Sequence, residues 1–345
     1  MERYFKDFIK SVFSLGILIL LVFAFKHSFL DANNIPSGSM IPTLKIGDYL
    51  FVNKMRFSLY FPFTYFELAR IDEPQRGDIA TFVPPRDPTK NYVKRIIGMP
   101  GDRIRIRNVS ICDPELPIKR ATKTLYQCNQ EFERKQWIPV IAFVEYKERD
   151  QGEWRHFEIE EINYDEAEKI LRDSDSIRVL YPDERGIKVG FLPVLFRENI
   201  NGRIHYFIET SEVIFPDSMC EEIETEGCLI PENHYFLMGD NRDDSQDSRF
   251  WQVGTITRDR ILGKPLVIYF SINWRDQLCF AYFEYLGGKG GFPIKDFPPE
   301  EQKKYCSFYD VHQYGEGIFG YLYRTIFYRI PRMEVRWYRI GTLLE

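Results

Sequence analysis

Apolar positions first gather in one block near the start of the chain. Val12 to Phe25 reads VFSLGILILLVFAF, uncharged and apolar on every face, between Lys10 and Lys26. Extended to Phe8 and Leu30, the run approaches the ~20 residues a helix needs to cross a bilayer, with the lysines able to snorkel to the interfaces. Arg3, Lys6 and Lys10 precede it. The excess of positive charge on that side puts the N-terminus in the cytoplasm and the remainder outside. An uncleaved anchor is the reading adopted here. A cleaved secretory signal, with Val22-x-Ala24 as a loose cleavage site, and a buried core helix are the alternatives.

Beyond the anchor the period changes to two. Short apolar runs bounded by turn residues predict strands at Tyr49 to Val52, Ile79 to Val83, Asn91 to Ile97, Arg103 to Val109, Tyr235 to Met238 and Leu266 to Ile272. Arg76-Gly77-Asp78 and Met99-Pro100-Gly101-Asp102 are the turns between them. An aromatic loop runs through Tyr65. Residues 110–228 are charged and less regular, with one short helix over Tyr164 to Arg172. Residues 276–331 are rich in aromatics and glycine and read as an insertion. With few helical patterns and no repeat, the expected fold is mainly β.

Composition narrows the picture only a little. The aromatic fraction of 16% suits pleated surfaces. A net charge of −5, with no basic stripe, gives no reason to propose nucleic acid. Six cysteines fall as near pairs, Cys112 with Cys128, Cys220 with Cys228 and Cys279 with Cys306. None has C-x-x-C spacing, so a structural metal site is not expected. In an oxidising compartment each pair could close a loop; scattered free thiols are the alternative. No cofactor is expected.

The candidate chemistry lies just after the anchor. Ser39 stands between Gly38 and Met40, bracketed by Pro36 and Pro42, on a stiff and sterically open turn. A serine needs a base to take its proton. The five histidines lie in no motif with acid partners. Lys94, in Tyr92-Val93-Lys94-Arg95-Ile96-Ile97, projects from a strand among apolar neighbours. A solvated lysine is neutral only about once in a thousand near pH 7.5, but burial disfavours the ammonium and lowers its pKa.

Four segments occur in order: IPSGSMIPTLKIGD (Ile35 to Asp48), RGDI (Arg76 to Ile79), YVKRIIGMPGD (Tyr92 to Asp102) and GDNRDDSQDSRFW (Gly239 to Trp251). Behind an N-terminal anchor, this set resembles the conserved boxes of bacterial type I signal peptidases, the membrane-bound Ser/Lys leader peptidases. The resemblance extends to Gly263-Lys264 and to a last strand, Met333 to Gly341, and covers about half the chain. It implies a signal-peptidase-type β domain at residues 31–345 behind an anchor at 1–30. Its core would be 31–109, 229–275 and 332–345, with inserts at 110–228 and 276–331.

The same resemblance implies roles. Ser39 would be the nucleophile and Lys94 the general base. Ser37 would donate to the oxyanion beside the Ser39 backbone N–H, and Ser245 would orient the Lys94 amine. Asp247 and Arg249 would form a supporting ion pair, with a structural surface salt bridge as the alternative. Ile35, Met40, Leu44, Tyr92 and Val93 would line a shallow substrate pocket. Three residues depart from the usual pattern: Asn33, Asp244 and Gln252. An inward Asp244 would raise the lysine pKa, so it is expected to face solvent. The implied activity is removal of signal peptides from exported preproteins after Ala-x-Ala-like sites, by a single-pass protein of the bacterial inner membrane with its catalytic domain on the periplasmic face. Its partners would be those signal peptides and the lipid bilayer. An anchored binding module of the same fold without activity is the alternative.

Overall fold

The computed structural model describes residues 2–61, 64, 66–122, 140–171, 179–182, 188–191, 193–209, 222–251, 254–274, 322, 325–326 and 330–344. Most of the aromatic stretch 276–331 lies outside them, as does Gln252. The chain begins with a helix, Glu2–Ser28. Residues 7–23 are exposed throughout, and Asp7–Ala24 is long and apolar enough to cross a membrane.

The expected mainly β fold follows. The largest sheet has eight strands. In spatial order they are Leu30–Asn34, Asp48–Asn53, Ile261–Trp274, Ile79–Phe82, Tyr92–Gly98, His234–Met238 and Ile256–Thr257, with Met333–Val335 also on Ile261–Trp274. Every pairing is antiparallel. Asp48–Asn53 shows the period-two signature, with Leu50 and Val52 inward. Ile79–Phe82 is buried at all four positions, as a central strand must be.

The long strand Ile261–Trp274 curls the sheet. Ile261 and Gly263 pair with Phe82 and Thr81, whereas Lys264 to Ser271 pair with Asn53 back to Asp48. Register shifts follow Pro265, which has no N–H to give to the ladder. At Gly263 the partner backbone comes so close that a Cβ would lie 2.5 Å from the Asn53 carbonyl oxygen.

Residues 110–228 are far more regular than the sequence suggested. Val140–Lys147 pairs with Arg103–Ser110 over eight residues. Val194–Ile200 and Arg203–Glu209 form a hairpin turned at Asn201 and Gly202, both with positive φ. Glu158–Glu161 and Ile118–Lys119 complete a second small sheet, and the short helix is Tyr164–Ile170. The pattern was hidden because six consecutive residues of Val140–Lys147 are buried, which erases alternation. Its charges also pair across strands: Arg105 and Arg107 both donate to Glu145 at 2.8 Å. An apolar cluster joins this region to the main sheet, taking Ile97, Phe236 and Met238 from the latter and Val144, Phe157 and Ile200 from the former.

A second correction concerns the C-terminus. The strand expected over Met333 to Gly341 stops at Val335 and gives way to a 3-10 turn, Trp337–Arg339. Buried Asp48 is the cause, since Arg339 donates to both its oxygens and Arg336 reaches the Ile46 carbonyl. The aromatic loop through Tyr65 also differs: its flanks form a hairpin, Ser58–Tyr60 with Glu67–Arg70. Both described cysteines, Cys112 and Cys228, are disulfide-bonded, so neither is a free thiol. The other four cysteines lie outside the described residues.

Candidate active site

The turn that holds Ser39 runs from Ile35 to Leu44, between Leu30–Asn34 and Asp48–Asn53. Its ends are closed by Ile35 N–H to the Asp48 carbonyl (2.8 Å) and Gly47 N–H to the Ile35 carbonyl (2.9 Å). Inside, Ile41 N–H reaches the Gly38 carbonyl at 3.0 Å and Leu44 N–H the Met40 carbonyl at 2.8 Å. Ile35, Met40 and Leu44 are buried with Leu50, Ile79 and Ile268, and Val93 packs against this cluster half-buried. Apolar anchors thus hold the turn down while Ser37 remains exposed and Ser39 half-exposed. Among the described residues, neither the Ser39 backbone N–H nor the Ser37 hydroxyl has a hydrogen-bond partner.

Lys94 sits in mid-strand on Tyr92–Gly98 and is only 3% exposed. Its Nζ makes a short hydrogen bond with the Ser39 Oγ. Burial pushes the amine pKa down to about 8, with Arg249 adding to the effect and Asp247, Asp244 and Asp240 opposing it. Desolvation therefore outweighs three acidic neighbours. Asp244 is exposed, as expected, yet its charge is still felt at the amine.

The segment Gly239 to Arg249 packs against both groups. Gly239 has room only for hydrogen: a Cβ there would collide with the Ser245 hydroxyl and the Ser39 carbonyl oxygen. Asn241 donates its N–H to the Ser39 carbonyl (3.1 Å) and its side-chain amide to the Gly38 carbonyl (3.2 Å). Asp247 and Arg249 form a bidentate pair at 2.8 and 2.9 Å. Both are buried, so this is not the surface salt bridge that the sequence left open. Burial alone would raise the Asp247 carboxyl, but Arg249, Ser245 and the Gly239 N–H hold it below the usual range. Ser245 gives its hydroxyl proton to Asp247 at 2.6 Å. Among the described residues no hydrogen bond joins it to Lys94; the two share Asp247 as a neighbour.

Of the pocket residues, Ile35, Met40, Leu44 and Val93 come together, but Tyr92 does not. It packs with Phe82, ring centroids 6.3 Å apart, in a separate cluster that includes Ile96 and Trp251. Sequence reasoning also missed Arg95. Its guanidinium grips Asp240 at 2.8 and 2.7 Å, on a carboxylate that also accepts from the Thr43 hydroxyl at 2.5 Å. A charged residue next to Lys94 in an otherwise apolar strand was the available signal. Alternation sends it to the opposite face, where only a buried acid can hold it.

Chemically, a half-exposed hydroxyl in contact with a desolvated amine is an arrangement in which the amine can take the hydroxyl proton. The comparisons bear on the family. Residues 6–174 and 189–270 match the family described as "Signal peptidase, peptidase S26". Signal peptidase I of Buchnera aphidicola from Acyrthosiphon pisum is 31% identical over 272 residues, covering 77% of this chain and 76% of that protein. Signal peptidase I of Aquifex aeolicus is 30% identical, with coverage of 76% and 84%, and that of Pseudomonas aeruginosa 29%, with 80% and 75%. The chain belongs to the signal peptidase family, peptidase S26, serine proteases that remove signal peptides.

Proposed function

We propose that this protein is an anchored signal peptidase in which Ser39 attacks the scissile carbonyl and Lys94 is the general base. The observation that supports this reading most is the buried Lys94 amine bonded directly to the Ser39 hydroxyl. With its pKa at about 8, roughly a quarter of the amine is neutral at pH 7.5, about two hundred times more than for a solvated lysine. Neutral Nζ accepts the Oγ proton as the Oγ–C bond forms. The resulting ammonium donates it to the leaving amine as the C–N bond breaks. Water then attacks the acyl-enzyme, again giving its proton to Nζ, and the ammonium returns that proton to Ser39 Oγ as the Oγ–C ester bond breaks and the free carboxyl product leaves. The two donors without partners, Ser39 N–H and Ser37 Oγ–H, serve the oxyanion, where charge develops only in the transition state. Asp247, held by Arg249, fixes Ser245 and Gly239 against the amine.

The pocket formed by Ile35, Met40, Leu44 and Val93 suits small side chains, which favours Ala-x-Ala-like sites on an extended peptide. The helix Glu2–Ser28 is the anchor, its Arg3, Lys6 and Lys10 end cytoplasmic. One strand and a turn then lead to Ser39, which keeps the catalytic domain at the outer face of the membrane. Substrate signal peptides held in the same bilayer meet the site at raised effective concentration.

Cleavage of an Ala-x-Ala peptide in detergent tests the reading. Wild type should turn it over and Ser39→Ala should lose about 10³-fold or more. A phenylalanine in place of the alanine at the cleavage point should block turnover. Equal activity of the Ser39→Ala variant would exclude the assignment, and an inactive but peptide-binding wild type would favour the binding-module alternative.

A further inference from the structure

Glu198 belongs to the segment 110–228, outside every motif box, and alternation along Val194–Ile200 gives no hint of chemistry. In the structure it is fully buried. Its Oε2 accepts from Arg242 Nη2 at 3.1 Å, and neither side chain is more than 1% exposed. Arg242 is stacked on Phe207, 4.1 Å from guanidinium carbon to ring centroid. From there the contacts run directly toward the site. The Arg242 carbonyl accepts from Arg249 Nη2 at 2.5 Å, and the same nitrogen donates to Asp247 at 2.8 Å. Asp247 in turn holds Ser245 and the Gly239 N–H.

The backbone follows the same route. Ile208 N–H donates to the Asp240 carbonyl (2.9 Å) and Arg242 N–H to the Ile208 carbonyl (3.1 Å), so Asn241 lies bridged to Ile208. Asn241 is also the residue that grips the Gly38 and Ser39 carbonyls. Ile41, two residues past Ser39, packs with Ile162, Leu195 and Ile208. The strands Val194–Ile200 and Arg203–Glu209 therefore form the back wall of the loop that faces the amine.

We propose that Glu198 is a positioning residue for the Ser39–Lys94 pair, acting through Arg242 and the Arg249–Asp247 ion pair. It touches neither the substrate nor the reacting atoms. Its charge faces a second buried guanidinium, Arg242; the other carboxyl that Arg242 and Arg249 feel is Glu209, which burial and Asp243 push well above the usual carboxylate range, so it is the weaker counter-ion. The other groups at Glu198 are His205, whose Nε2 is 3.1 Å away, and beyond it Asp240 with its partner Arg95. The groups felt by Lys94 are Asp247, Arg249, Asp244 and Asp240. Of these, Arg249 donates to the Arg242 carbonyl and holds Asp247 in turn. When Arg242 shifts, Arg249 loses an acceptor, the loop loosens, and water reaches the amine.

This inference rests on Lys94 being the base, and the test separates the two. The full chain in detergent, with an Ala-x-Ala peptide, gives the pH profile of kcat/KM. Glu198→Gln keeps the shape and removes the charge. It should lower kcat about tenfold, leave KM within about twofold, and move the acid limb upward by about one pH unit, because water around the amine raises its pKa. Arg203→Gln is the structural control. Arg203 also ties this hairpin to the core, through Asp78 and Gln75, but away from the loop. It should lower Tm without moving the limb. A folded Glu198→Gln enzyme with the wild-type limb, or an equal limb shift in Arg203→Gln, overturns the proposal. Should Glu198→Gln not fold, Arg242→Lys decides with the same two outcomes, since it keeps the cation but not the reach to Glu198. If instead Lys94→Ala turned over peptide at the wild-type rate, the base assignment would fall whatever Glu198 does.

Discussion

Lys94→Met should abolish cleavage and at the same time make the protein more stable at neutral pH. The loss follows from the role proposed above: removing a general base costs about 10²–10⁴-fold in rate. The gain follows from burial. An unfolded lysine titrates near its ordinary 10.5, whereas in the folded protein burial brings Lys94 down to about 8. Between those values the unfolded chain binds more protons, so wild-type stability rises with pH across this window. Below pH 8 the folded state carries the full penalty of a buried ammonium, about 3 kcal/mol for a shift of that size. Methionine fills similar space with no charge to desolvate. The variant should therefore exceed wild type by up to roughly 3 kcal/mol at pH 7, with the gap closing as pH approaches 10.5. Denaturant unfolding at pH 7 and at pH 10 measures it. Loss of activity with no gain in stability would mean that the amine is not desolvated.

Arg249→Ala should have the largest effect of the opposite sign. It leaves the Asp247 carboxylate buried without its bidentate partner, and breaking a buried pair from one side costs about 3–5 kcal/mol. The site should suffer as well. Arg249 helps depress the lysine and Asp247 opposes it, so deleting the cation alone drives the Lys94 pKa upward and thins the neutral population. Replacing both, as Asp247→Asn with Arg249→Met, should recover much of the stability, because no uncompensated charge remains. Activity should not return with it, since Ser245 and the Gly239 N–H lose their ionised acceptor. By contrast, breaking the exposed Lys90–Asp87 pair should leave the unfolding midpoint unchanged within error. If Arg249→Ala unfolds like wild type, the pair is not the buried clamp described here.

How much of this was legible in the sequence depends on how local the signal was. The N-terminal apolar helix was readable because it is apolar on every face, Ile79 to Val83 because turn residues bound a short apolar run, and Tyr49 to Val52 and Arg103 to Val109 because alternation dominates each. Ser39 and Lys94 were readable because short motifs surround them, and the fold brings them into contact across 55 positions. The regularity of residues 110–228 was not, because a strand buried on both faces shows no alternation and its charges look solvated until Glu145 is seen between two arginines. Nor was the inward turn of Arg336 and Arg339, whose buried acceptor Asp48 lies almost three hundred residues earlier. Glu198 belongs to the same class, since one glutamate in FRENI looks like any surface residue until Arg242 is found against it. Tyr92 was misassigned for a simpler reason: sharing a face with Lys94 on a strand does not mean sharing a pocket, and Phe82 and Trp251 claim the ring instead.

The most direct measurement is the titration of the Lys94 Nζ itself, followed by heteronuclear NMR on lysine-labelled protein in detergent and assigned by its loss in Lys94→Met. A midpoint near pH 8 is expected, in step with the acid limb of kcat/KM. A midpoint at about 10 or above, where solvated lysines titrate, would contradict the proposal that this amine is the base for Ser39.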